Sequence, residues 1–379
     1  MKVLHVIPSV SPLYGGPSRA IVEISETLNR IGIEVDIATT TGHGSKELKV
    51  PLDQPVNTAG INYFYFKRQT PKVITFSIPL FIWLYKHLTD YEIIHIHSLF
   101  NFPSLAASTL ARLFKIPYVI RPVGTLDAWS LKHKNWKKKP YYLFVEKNTL
   151  KHSSAIHATS IHEFDNINKL GFGLKTSIIP LGINLPTIKR NLKDSIYLKI
   201  LFLSRLHPVK NIPLLLQSLN ILLEKNIKFE LTIAGDGEIT YKKRLINEIE
   251  NLGIKRYINF VGFANGNEKR ELMLSSNVFV LPSYQENFGI AVAEAMSYGL
   301  AVIVSDQVAL SKEIEKNESG IVVPTNDPHK LAEAFIFLND IAIRNKIGEN
   351  ARLLIKREFC TEKMGKGLVN LYQKIINKY

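Results

Sequence analysis

The chain has 379 residues, of which 46% are hydrophobic and 21% are charged. This balance excludes disordered, collagen-like and low-complexity proteins. A single core stops growing at roughly 250–300 residues, so two domains are expected. Lys and Arg outnumber Asp and Glu by 48 to 33, a net charge of +15. That excess suits an anionic partner such as a nucleotide, a phospholipid surface or a nucleic acid, and equally an ordinary lysine-rich surface.

The cysteine count and the lengths of the apolar runs indicate the cellular compartment in which the protein works. Cys360 is the single cysteine, so neither an intrachain disulfide nor a cysteine-based zinc site can form. The first apolar run ends at Pro8 and is too short for a signal peptide. The longest apolar stretch, residues 73–85, is interrupted and falls short of the ~20 residues that span a bilayer. We expect a cytoplasmic protein with at most peripheral membrane contact.

In chain order, the first half alternates strands and helices. Residues 2–8 are a short apolar run typical of a buried strand, residues 19–30 carry apolar side chains at helical spacing, and residues 34–39 read as a second strand. Strand, helix and strand in this order indicate a parallel sheet. The series continues with strands at 92–97, 117–121, 154–158 and 176–179 and a helix at 104–114.

A polar stretch from 180 to 194 predicts a linker, after which a second alternating series begins. Its predicted strands are 198–203, 229–234, 257–261, 278–282, 301–305 and 321–323, with helices at 213–224, 241–252, 269–275 and 290–298 and helical sequence from 330 onward. We therefore predict two doubly wound, Rossmann-like α/β domains, residues 1–185 and 196–360. Ligands bind such sheets at the carboxyl ends of the strands, and the cleft between two domains is the default site.

The most informative motif lies in residues 281–299, which read as strand, loop and helix. Glu286 lies in the loop and Glu294 in the helix. The backbone N–H groups of residues 288–290 lack helical partners and can bind an anion. The two carboxylates would repel a phosphate but accept hydrogen bonds from hydroxyl groups on either side of it, an order that fits a sugar, a diphosphate and a ribose. The alternative is a capped helix with a solvated Glu286 and an incidental Glu294.

A second constellation follows the strand at 198–203. Arg205 and Lys210 leave its carboxyl end, where two cations can neutralise a diphosphate leaving group. Two surface cations near a turn are the alternative. Gly15 and Gly16 follow the first strand and would let a ligand approach the backbone. The G-x-G-x-x-G dinucleotide fingerprint is absent there, which counts against a nicotinamide enzyme.

His95 and His97 close a predicted strand, and strand alternation puts both on one face. A metal site needs a third ligand, and none is evident in the sequence. We expect His97, at the carboxyl end, to contact substrate; the alternative is a satisfied core histidine.

Basic and aromatic residues are interleaved in the stretch that follows Arg121. It contains Asp127 and Trp129 and then Lys132, Lys134, Trp136, Lys137, Lys138, Lys139, Tyr141 and Tyr142. This composition suits an anionic membrane surface or a phosphorylated acceptor. A solvated helix face is the alternative.

Taken together, these motifs resemble family 4 of the retaining glycosyltransferases, which have the GT-B fold. The resemblance rests on Glu286 and Glu294 with the following Ala-Met-Ser-Tyr-Gly, and on Arg205 with Lys210 and Asn211. It covers essentially the whole chain. The segment 121–127 and the Trp and Lys residues after it resemble a bacterial branch that builds exopolysaccharide or cell-envelope glycans.

The resemblance implies a role for each motif. Glu286 would bind hydroxyls of the donor sugar and Glu294 the ribose, while Arg205 and Lys210 would stabilise the diphosphate and His97 would lie by the reacting sugar. The remaining donor-binding residues would be Gly15, Gly16, Gly262, Phe263, Asn287, Phe288, Gly289 and Ile290, with Arg121 and Asp127 toward the acceptor. The helix at 361–379 would pack back on the N-terminal domain, which takes the acceptor.

The implied reaction moves a sugar from a nucleoside diphosphate sugar, with UDP-glucose as the first expectation, to a hydroxyl of a glycan or lipid-linked acceptor, with retention. No Asp-x-Asp motif occurs, so neither a metal nor another cofactor is expected. Two other classes stay open: a nucleotide-sugar epimerase or hydrolase of the same fold, and a basic nucleic-acid-binding protein. The second lacks an evident recognition helix or aromatic platform, so we expect no nucleic acid partner.

Overall fold

A computed structural model describes residues 1–127, 139–187 and 197–378. The chain divides into two compact units: unit 1 comprises Met1–Gly182 and Thr361–Tyr379, and unit 2 comprises Ile183–Cys360. Unit 2 starts earlier than the predicted domain because Ile183 pairs with Cys360 and its N–H donates to Phe359 O at 2.7 Å. The predicted basic and aromatic stretch from Trp129 through residue 138, and the second part of the predicted linker, lie outside the described residues.

Unit 1 is built on an eight-stranded sheet in the order β10-β9-β8-β7-β1-β2-β6-β5, in which only the edge pair β5–β6 is antiparallel. Its strands are β1 (Lys2–Ile7), β2 (Glu34–Thr40), β5 (Pro55–Thr58), β6 (Ile61–Phe66), β7 (Ile93–His97), β8 (Tyr118–Arg121), β9 (Ala155–Ala158) and β10 (Thr176–Ile178), with a separate hairpin of β3 (Gly42–His43) and β4 (Lys46–Glu47). Its helices are α1 (Gly16–Arg30), α2 (Ile78–His87), α3 (Phe102–Leu113), α4 (Lys147–His152) and α5 (Ile161–Lys169).

One further helix of unit 1 comes from the far end of the chain. Helix α13 (Thr361–Ile376) follows unit 2 in sequence but belongs to unit 1. Its buried apolar residues recur at helical spacing, at Met364, Leu368, Leu371, Tyr372 and Ile375. The N–H of Gly182 donates to Met364 Sδ at 3.0 Å, which ties the start of the helix to the end of the first segment.

Unit 2 is a six-stranded, fully parallel sheet in the order β13-β12-β11-β14-β15-β16. Its strands are β11 (Leu198–Leu203), β12 (Phe229–Ala234), β13 (Ile258–Gly262), β14 (Val278–Leu281), β15 (Ala301–Ser305) and β16 (Ile321–Val323). Its helices are α6 (Ile212–Glu224), α7 (Ile239–Asn251), α8 (Gly266–Ser275), α9 (Ile290–Ser297), α10 (Ser311–Lys316), α11 (Pro328–Phe337) and α12 (Ile341–Glu358). The strand order reverses between β11 and β14, which is the switch point of a doubly wound sheet.

Both units therefore confirm the predicted α/β class with Rossmann-like sheets. The apolar runs of β14 and β15 form strands because both faces of a parallel sheet are covered. Strands β1 and β7 are buried in the same way, although histidines interrupt their apolar residues. The interrupted apolar stretch at 73–85 forms a short 3-10 turn (Lys72–Ile74) and the ten-residue helix α2. In the described ranges, no helix has both the length and the apolar content that crossing a bilayer requires.

Candidate functional site

The two predicted motifs of unit 2 meet at the switch point. Strands β11 and β14 are neighbours, so the segments after their carboxyl ends lie side by side. The N–H of Tyr284 donates to Val209 O at 2.8 Å, which joins the two segments through their backbones. The Lys210 ammonium donates to Glu286 Oε1 and forms an ion pair with it. Residues that are 76 positions apart thus share one site.

Glu286 is held in place by a third segment. Its N–H donates to Gln307 O at 3.1 Å, and its own carbonyl accepts from the N–H of Ala309 at 3.1 Å. Both partners lie after β15, the next strand in the sheet. These bonds hold the backbone of Glu286, and the ion pair with Lys210 holds its half-buried carboxylate.

Arg205 is exposed on the segment after β11, and that segment rests on the turn after β12. The N–H of Leu206 donates to Asp236 O at 2.9 Å. A Cβ on Gly235 would lie 1.8 Å from Ser204 O, so this close approach requires glycine. In the sequence, Gly235-Asp-Gly237 resembles an ordinary turn; its function here is to support the segment that carries Arg205.

The loop that follows Glu286 leads into helix α9. Gly289 is the N-cap at φ +86°, a left-handed conformation, and no side chain caps the helix. The Phe288 ring is buried and lies 5.9 Å, centroid to centroid, from that of Phe359. Phe288 therefore anchors the loop with its side chain and can offer a ligand only its backbone. Asn287 precedes it, and Ile290 is the first helical residue, with its N–H at the helix start.

Glu294 lies in the second turn of α9 and is buried. Lys269 Nζ donates to both of its carboxylate oxygens, at 2.9 and 3.1 Å. Lys269 lies near the start of α8, which follows β13, and sequence reasoning missed it. The signal that could have found it is the rule that a buried Glu is paired, but the rule does not say with which of the chain's many lysines.

Gly262 and Phe263 lie at the carboxyl end of β13, the edge strand of the sheet. Gly262 O accepts from the N–H of Gly235 at 2.6 Å, which links the ends of β13 and β12. The Phe263 ring is exposed. An exposed aromatic ring at a ligand-binding edge offers a flat apolar face on which a base can stack.

In unit 1, Gly15 and Gly16 follow β1. Gly15 is the N-cap of α1, and its N–H donates to Pro12 O at 2.9 Å; Gly16 is the first helical residue. The two glycines thus form a tight turn into a helix, and the approach of a ligand to them stays a prediction.

The side chain of His97 is fully buried in unit 1 and does not lie at an exposed edge of the sheet. His5, His95, His97 and His157, on strands β1, β7 and β9, form a cluster that we call the histidine cluster. Tyr372 of α13 covers it, with its hydroxyl 2.6 Å from His95 Nδ1. The cluster gives His97 a structural role, and its predicted contact with the reacting sugar stays a prediction.

Hydrogen-bond directions assign the tautomers of His97 and His5. Arg121 Nη1 lies 3.3 Å from His97 Nδ1, and a guanidinium only donates, so His97 Nδ1 accepts and its proton is on Nε2. That proton faces His5 Nδ1 at 2.8 Å, which places the His5 proton on Nε2. Among the described residues this last N–H has no hydrogen-bond partner.

A second directed chain runs through the other two histidines. His157 Nε2 lies 2.7 Å from Ile179 O and must donate to it, so His157 Nδ1 accepts from His95 Nε2 at 3.4 Å. His95 Nδ1 then accepts from the Tyr372 hydroxyl. These donor and acceptor roles are possible only when every imidazole is neutral.

Burial keeps the histidines neutral. Desolvation first, and then the charge of Arg121, lowers the pKa of His5 to about 3. The same two causes, in the same order, lower the pKa of His157 to about 3. For His95 and His97, desolvation and the neighbouring imidazoles hold the pKa well below its usual range.

The predicted acceptor residues are also buried. Burial lowers the pKa of the Arg121 guanidinium to about 10, and the Glu163 carboxylate opposes that shift. Asp127 accepts from Asn166 Nδ2 at 3.0 Å. Both residues follow or end β8 at its carboxyl edge, and their contact with an acceptor stays a prediction.

One group of metal-ligand side chains occurs in the part of the chain that the structure describes: His5, His95 and His97, with one ligand atom from each within 4.8 Å of the others. His5 is the third possible ligand beside His95 and His97, and the sequence alone does not reveal it. The nitrogens of His5 and His97 already bond one another at 2.8 Å, so this group is accounted for as a hydrogen-bonded core.

In comparison with known proteins, each half of the chain matches the model of a glycosyltransferase family. Residues 14–186 match the model of Glycosyltransferase Family 4, and residues 186–354 match the model of Glycosyl transferases group 1. The chain is similar to the UDP-Gal:alpha-D-GlcNAc-diphosphoundecaprenol alpha-1,3-galactosyltransferase of Escherichia coli, with 28% identity over 100% of this chain and 98% of the relative.

Two solved structures show the same fold. Sucrose-phosphate synthase from Thermosynechococcus elongatus superposes with a TM-score of 0.82 and 20% identity, over 100% of both chains. HepE of Anabaena in complex with UDP-glucose superposes with a TM-score of 0.76 and 19% identity, over 100% of this chain and 99% of that one. With two Rossmann-like units and a family match across both of them, the chain belongs to family 4 of the glycosyltransferases and has the GT-B fold.

Proposed function

We propose that this glycosyltransferase holds a nucleoside diphosphate sugar on unit 2 and transfers its sugar, with retention, to a hydroxyl of a lipid-linked glycan in polysaccharide assembly. The ion pair between Lys210 and Glu286 carries the proposal. It brings a cation for the diphosphate and a carboxylate for the sugar hydroxyls to the switch point, where doubly wound sheets bind ligands.

The sheet order supports an orientation for the donor. Phe263 follows β13, Arg205 and Lys210 follow β11, and Glu286 follows β14. Strands β13 and β14 are three spacings apart, about 14 Å. A donor laid along this edge would have its base at Phe263, its diphosphate at the two cations and its sugar at Glu286.

The chemistry follows from the charges. Cleavage of the sugar–phosphate bond develops negative charge on the departing diphosphate, which Arg205 and Lys210 would stabilise without a metal. An ammonium has three N–H groups, so Lys210 can bind phosphate while Glu286 holds it in place. In front-face attack the departing phosphate oxygen takes the acceptor proton, which leaves Glu286 to position the sugar.

Glu294 and Lys269 suit the ribose end. A carboxylate can accept from two adjacent hydroxyls, and Lys269 compensates its charge inside the protein. The start of α9 would add backbone N–H groups to the diphosphate.

The acceptor is proposed from the relative named above, whose printed substrate is a sugar on diphosphoundecaprenol. UDP-glucose is the first donor to test, because HepE was crystallised with it, and UDP-galactose is the second. Arg121 and Asp127 are the proposed acceptor residues.

A thermal-shift screen of the full chain with UDP-glucose, UDP-galactose, GDP-mannose and UDP-N-acetylglucosamine tests donor binding. Saturation at about 100 times the dissociation constant stabilises the fold by about 2.7 kcal/mol. The donor that binds is then incubated with a polyprenyl-diphosphate sugar, and the anomeric configuration of the product is read by NMR. An epimerised or hydrolysed donor without transfer, or tighter binding of an oligonucleotide than of any nucleotide sugar, would overturn the proposal.

A further inference from the structure

We propose that two buried carboxylates of unit 1, Glu146 and Glu163, are positioning residues for the acceptor of sugar transfer. Each accepts a backbone N–H from one loop at the carboxyl edge of the sheet: Glu146 from residues 98–101, which follow β7, and Glu163 from residues 122–125, which follow β8. We call these the two edge loops. The inference deepens the proposed function and rests on it, because that proposal places the acceptor on unit 1.

The sheet topology of unit 1 puts the edge loops where a ligand is expected. Strand β1 pairs with β2 on one side and with β7 on the other, so the strand order reverses between β1 and β7. A doubly wound sheet binds ligands outside the carboxyl ends of its strands at such a switch point. The loop 98–101 borders this point, and the loop 122–125 follows the next strand, about 5 Å away. Arg121 and Asp127, the proposed acceptor residues, lie on either side of the loop 122–125 in sequence.

Both edge loops contain a backbone conformation that their residues rarely adopt. Ser98 and Phe100 have φ angles of +72° and +60°, and Val123 has a φ angle of +60°. The Cβ atom is crowded in this left-handed region, and a β-branched valine is crowded most. Such conformations cost free energy, persist only where the surroundings enforce them, and occur preferentially at functional sites. Something in unit 1 must therefore hold the edge loops in this shape.

Glu146 holds the first edge loop at Phe100. Its Oε1 accepts from the N–H of Phe100 at 2.6 Å. Glu146 is buried and ends a π-helical turn, Tyr142–Glu146, that continues into α4. Such turns are rare and are frequent at functional sites. The Tyr118 hydroxyl of β8 donates to Thr149 O at 2.8 Å, which ties α4 to the sheet, so the carboxylate reaches the loop from a fixed support.

A carboxyl group at this position has a cost that a purely structural contact could avoid. Burial raises the pKa of the Glu146 carboxyl group to about 7, and the N–H of Phe100 only partly opposes this rise. A serine or asparagine side chain could accept the same N–H without a charge. A charged acceptor bonds an N–H more strongly than a neutral one does, which suits a loop that is held against its own strain. Carboxyl groups with shifted pKa values occur preferentially at functional sites.

Glu163 holds the second edge loop in the same manner. Its Oε1 accepts from the N–H of Gly124 at 2.8 Å, directly after the strained Val123. Its Oε2 accepts from the N–H and from the hydroxyl of Thr159, at 2.8 and 2.9 Å, just before α5. One oxygen thus holds the loop, and the other fixes the carboxylate. The same arrangement on two neighbouring loops indicates one shared function.

Further bonds join the two edge loops into one polar surface. The N–H of Ser98 donates to Arg121 O at 2.8 Å, at the point where the second loop begins. The Ser104 hydroxyl donates to Ser98 O at 2.8 Å. Polar groups fixed at such an edge can bind the hydroxyls of a sugar and set its orientation. The donor residues Lys210 and Glu286 belong to unit 2, so we assign the edge loops to the acceptor.

The test is initial-rate kinetics of the full chain with the donor and the polyprenyl-diphosphate sugar described above, each varied in turn. The variants Glu146→Met and Glu163→Met keep the length of the side chain and remove the accepting oxygens. Both should raise the KM for the acceptor at least about tenfold, since a displacement of about 1 Å can cost about 10²-fold. The KM for the donor should stay unchanged.

Asp36→Leu is the matched control. Asp36 is an equally buried carboxylate of unit 1 that accepts from the Tyr91 hydroxyl at 2.7 Å and from Asn62 Nδ2 at 2.9 Å, but it lies near the amino end of β2. This variant should lower the melting temperature and leave both KM values unchanged. Hydrogen exchange at the amides of the edge loops should accelerate in the two methionine variants and not in the control.

Conservative variants separate positioning from stability. The amide oxygen of Glu146→Gln can accept the N–H of Phe100, so this variant should recover most of the wild-type KM for the acceptor. Glu163 uses both of its oxygens, so Glu163→Gln can replace only one of them and should stay impaired. Glu146→Asp keeps the charge but shortens the side chain by one CH₂, so it should be impaired like Glu146→Met. It provides the same comparison if the methionine variant does not fold.

The outcomes distinguish this inference from the proposed function. If the wild type transfers sugar and the Glu146 and Glu163 variants keep its KM for the acceptor, the inference is wrong and the proposed function stands. A lower melting temperature with an unchanged KM would then show that the two carboxylates serve stability alone. An equal rise in the KM for the donor would also overturn the inference. Absence of transfer by the wild type would overturn the proposed function, and this inference with it.

Discussion

The Tyr372 hydroxyl lies 2.6 Å from Nδ1 of His95, although 277 positions separate the two residues. This bond fastens α13 to strand β7 in the middle of the unit 1 sheet. It also begins the hydrogen-bond chain that passes through His157 to Ile179 O. The contact has consequences for stability that can be measured.

Replacing Tyr372 with Phe removes the donor and leaves His95 Nδ1 buried without it. A buried acceptor that loses its partner costs about 1–3 kcal/mol of unfolding free energy. Hydrogen exchange should accelerate at the amides of β7 and α13. Tyr85→Phe, at an exposed tyrosine, is the control and should leave exchange unchanged. Unchanged exchange in Tyr372→Phe would show that the bond does not hold α13 in place.

The histidine cluster predicts loss of stability in acid. The pKa values of His5 and His157 are about 3 in the folded chain and about 6.5 when unfolded, so below pH 6.5 the unfolded state binds more protons. Stability contributed by the cluster is complete above pH 6.5 and falls as the pH approaches 3. Each histidine contributes a slope of about 1.4 kcal/mol per pH unit.

Unfolding of the full chain by urea, repeated between pH 7 and pH 5, measures that slope. The variant His5→Gln should lower it by about one histidine's share. A wild-type stability that is independent of pH in this range would contradict the neutral cluster.

The proposed roles of Lys210 and Glu286 predict how their variants change the rate of sugar transfer. The variant Lys210→Ala should lower turnover by roughly 10²–10³, the scale for losing one preorganised charge. The exchange Lys210→Glu/Glu286→Lys restores an ion pair, so it should recover the melting temperature but not the rate. Recovery of both would mean that the pair is only structural.

The proposed roles of Glu294 and Lys269 predict how their variants change the affinity for the nucleoside diphosphate. Glu294→Gln should weaken binding of the nucleoside diphosphate by about 1.5–3 kcal/mol, the value of a hydrogen bond to a charged group. Lys269→Gln should weaken it less, since the carboxylate remains but loses its support, and Lys269→Arg should restore it. Glu286→Gln is the comparison, because it should lower turnover while the affinity for the nucleoside diphosphate persists. Calorimetry on the full chains distinguishes these cases; equal loss of affinity in Glu286→Gln and Glu294→Gln would refute the assignment.

Metal dependence provides a separate check. If Arg205 and Lys210 neutralise the departing diphosphate, transfer should continue in EDTA at the rate seen without it. The measurement is sugar transfer before and after EDTA and after re-addition of Mg²⁺ or Mn²⁺. A strict requirement for either ion would show that the two cations are insufficient.

The strands of unit 2 could be predicted closely from the sequence. Strands β11, β12 and β15 have the predicted bounds. Strand β15 is an apolar run buried on both faces, as expected in a parallel sheet. Lys199 interrupts the apolar run of β11, and apolar residues alternate with Glu230 and Thr232 in β12. Strands β5 and β6 were not predicted. They form the antiparallel edge of unit 1, where β5 is short and mostly exposed. Strand β6 contains the aromatic run from Tyr63 to Phe66, which was not assigned to a strand from the sequence.

The site was predictable as far as strand ends determine it. Arg205, Lys210 and Glu286 follow strands that the sequence reveals, and the sheet order then brings them together. Lys269 was missed because its partner is decided by how α8 packs on α9, which no local pattern encodes. For His95 and His97 the alternation correctly predicts one shared face, but only the pairing of β1 with β7 adds His5, and only α13 adds Tyr372.

The position of α13 also sets an order of events during synthesis. A ribosome completes all of Ile183–Cys360 before it adds Tyr372, so unit 2 can fold while the histidine cluster of unit 1 still lacks its cover. Until then His95 Nδ1 lacks the Tyr372 hydroxyl that donates to it. The nascent unit 1 also exposes the apolar surface that Leu368 and Ile375 later bury. A chaperone that recognises exposed apolar segments would act on this chain during the interval between the two events.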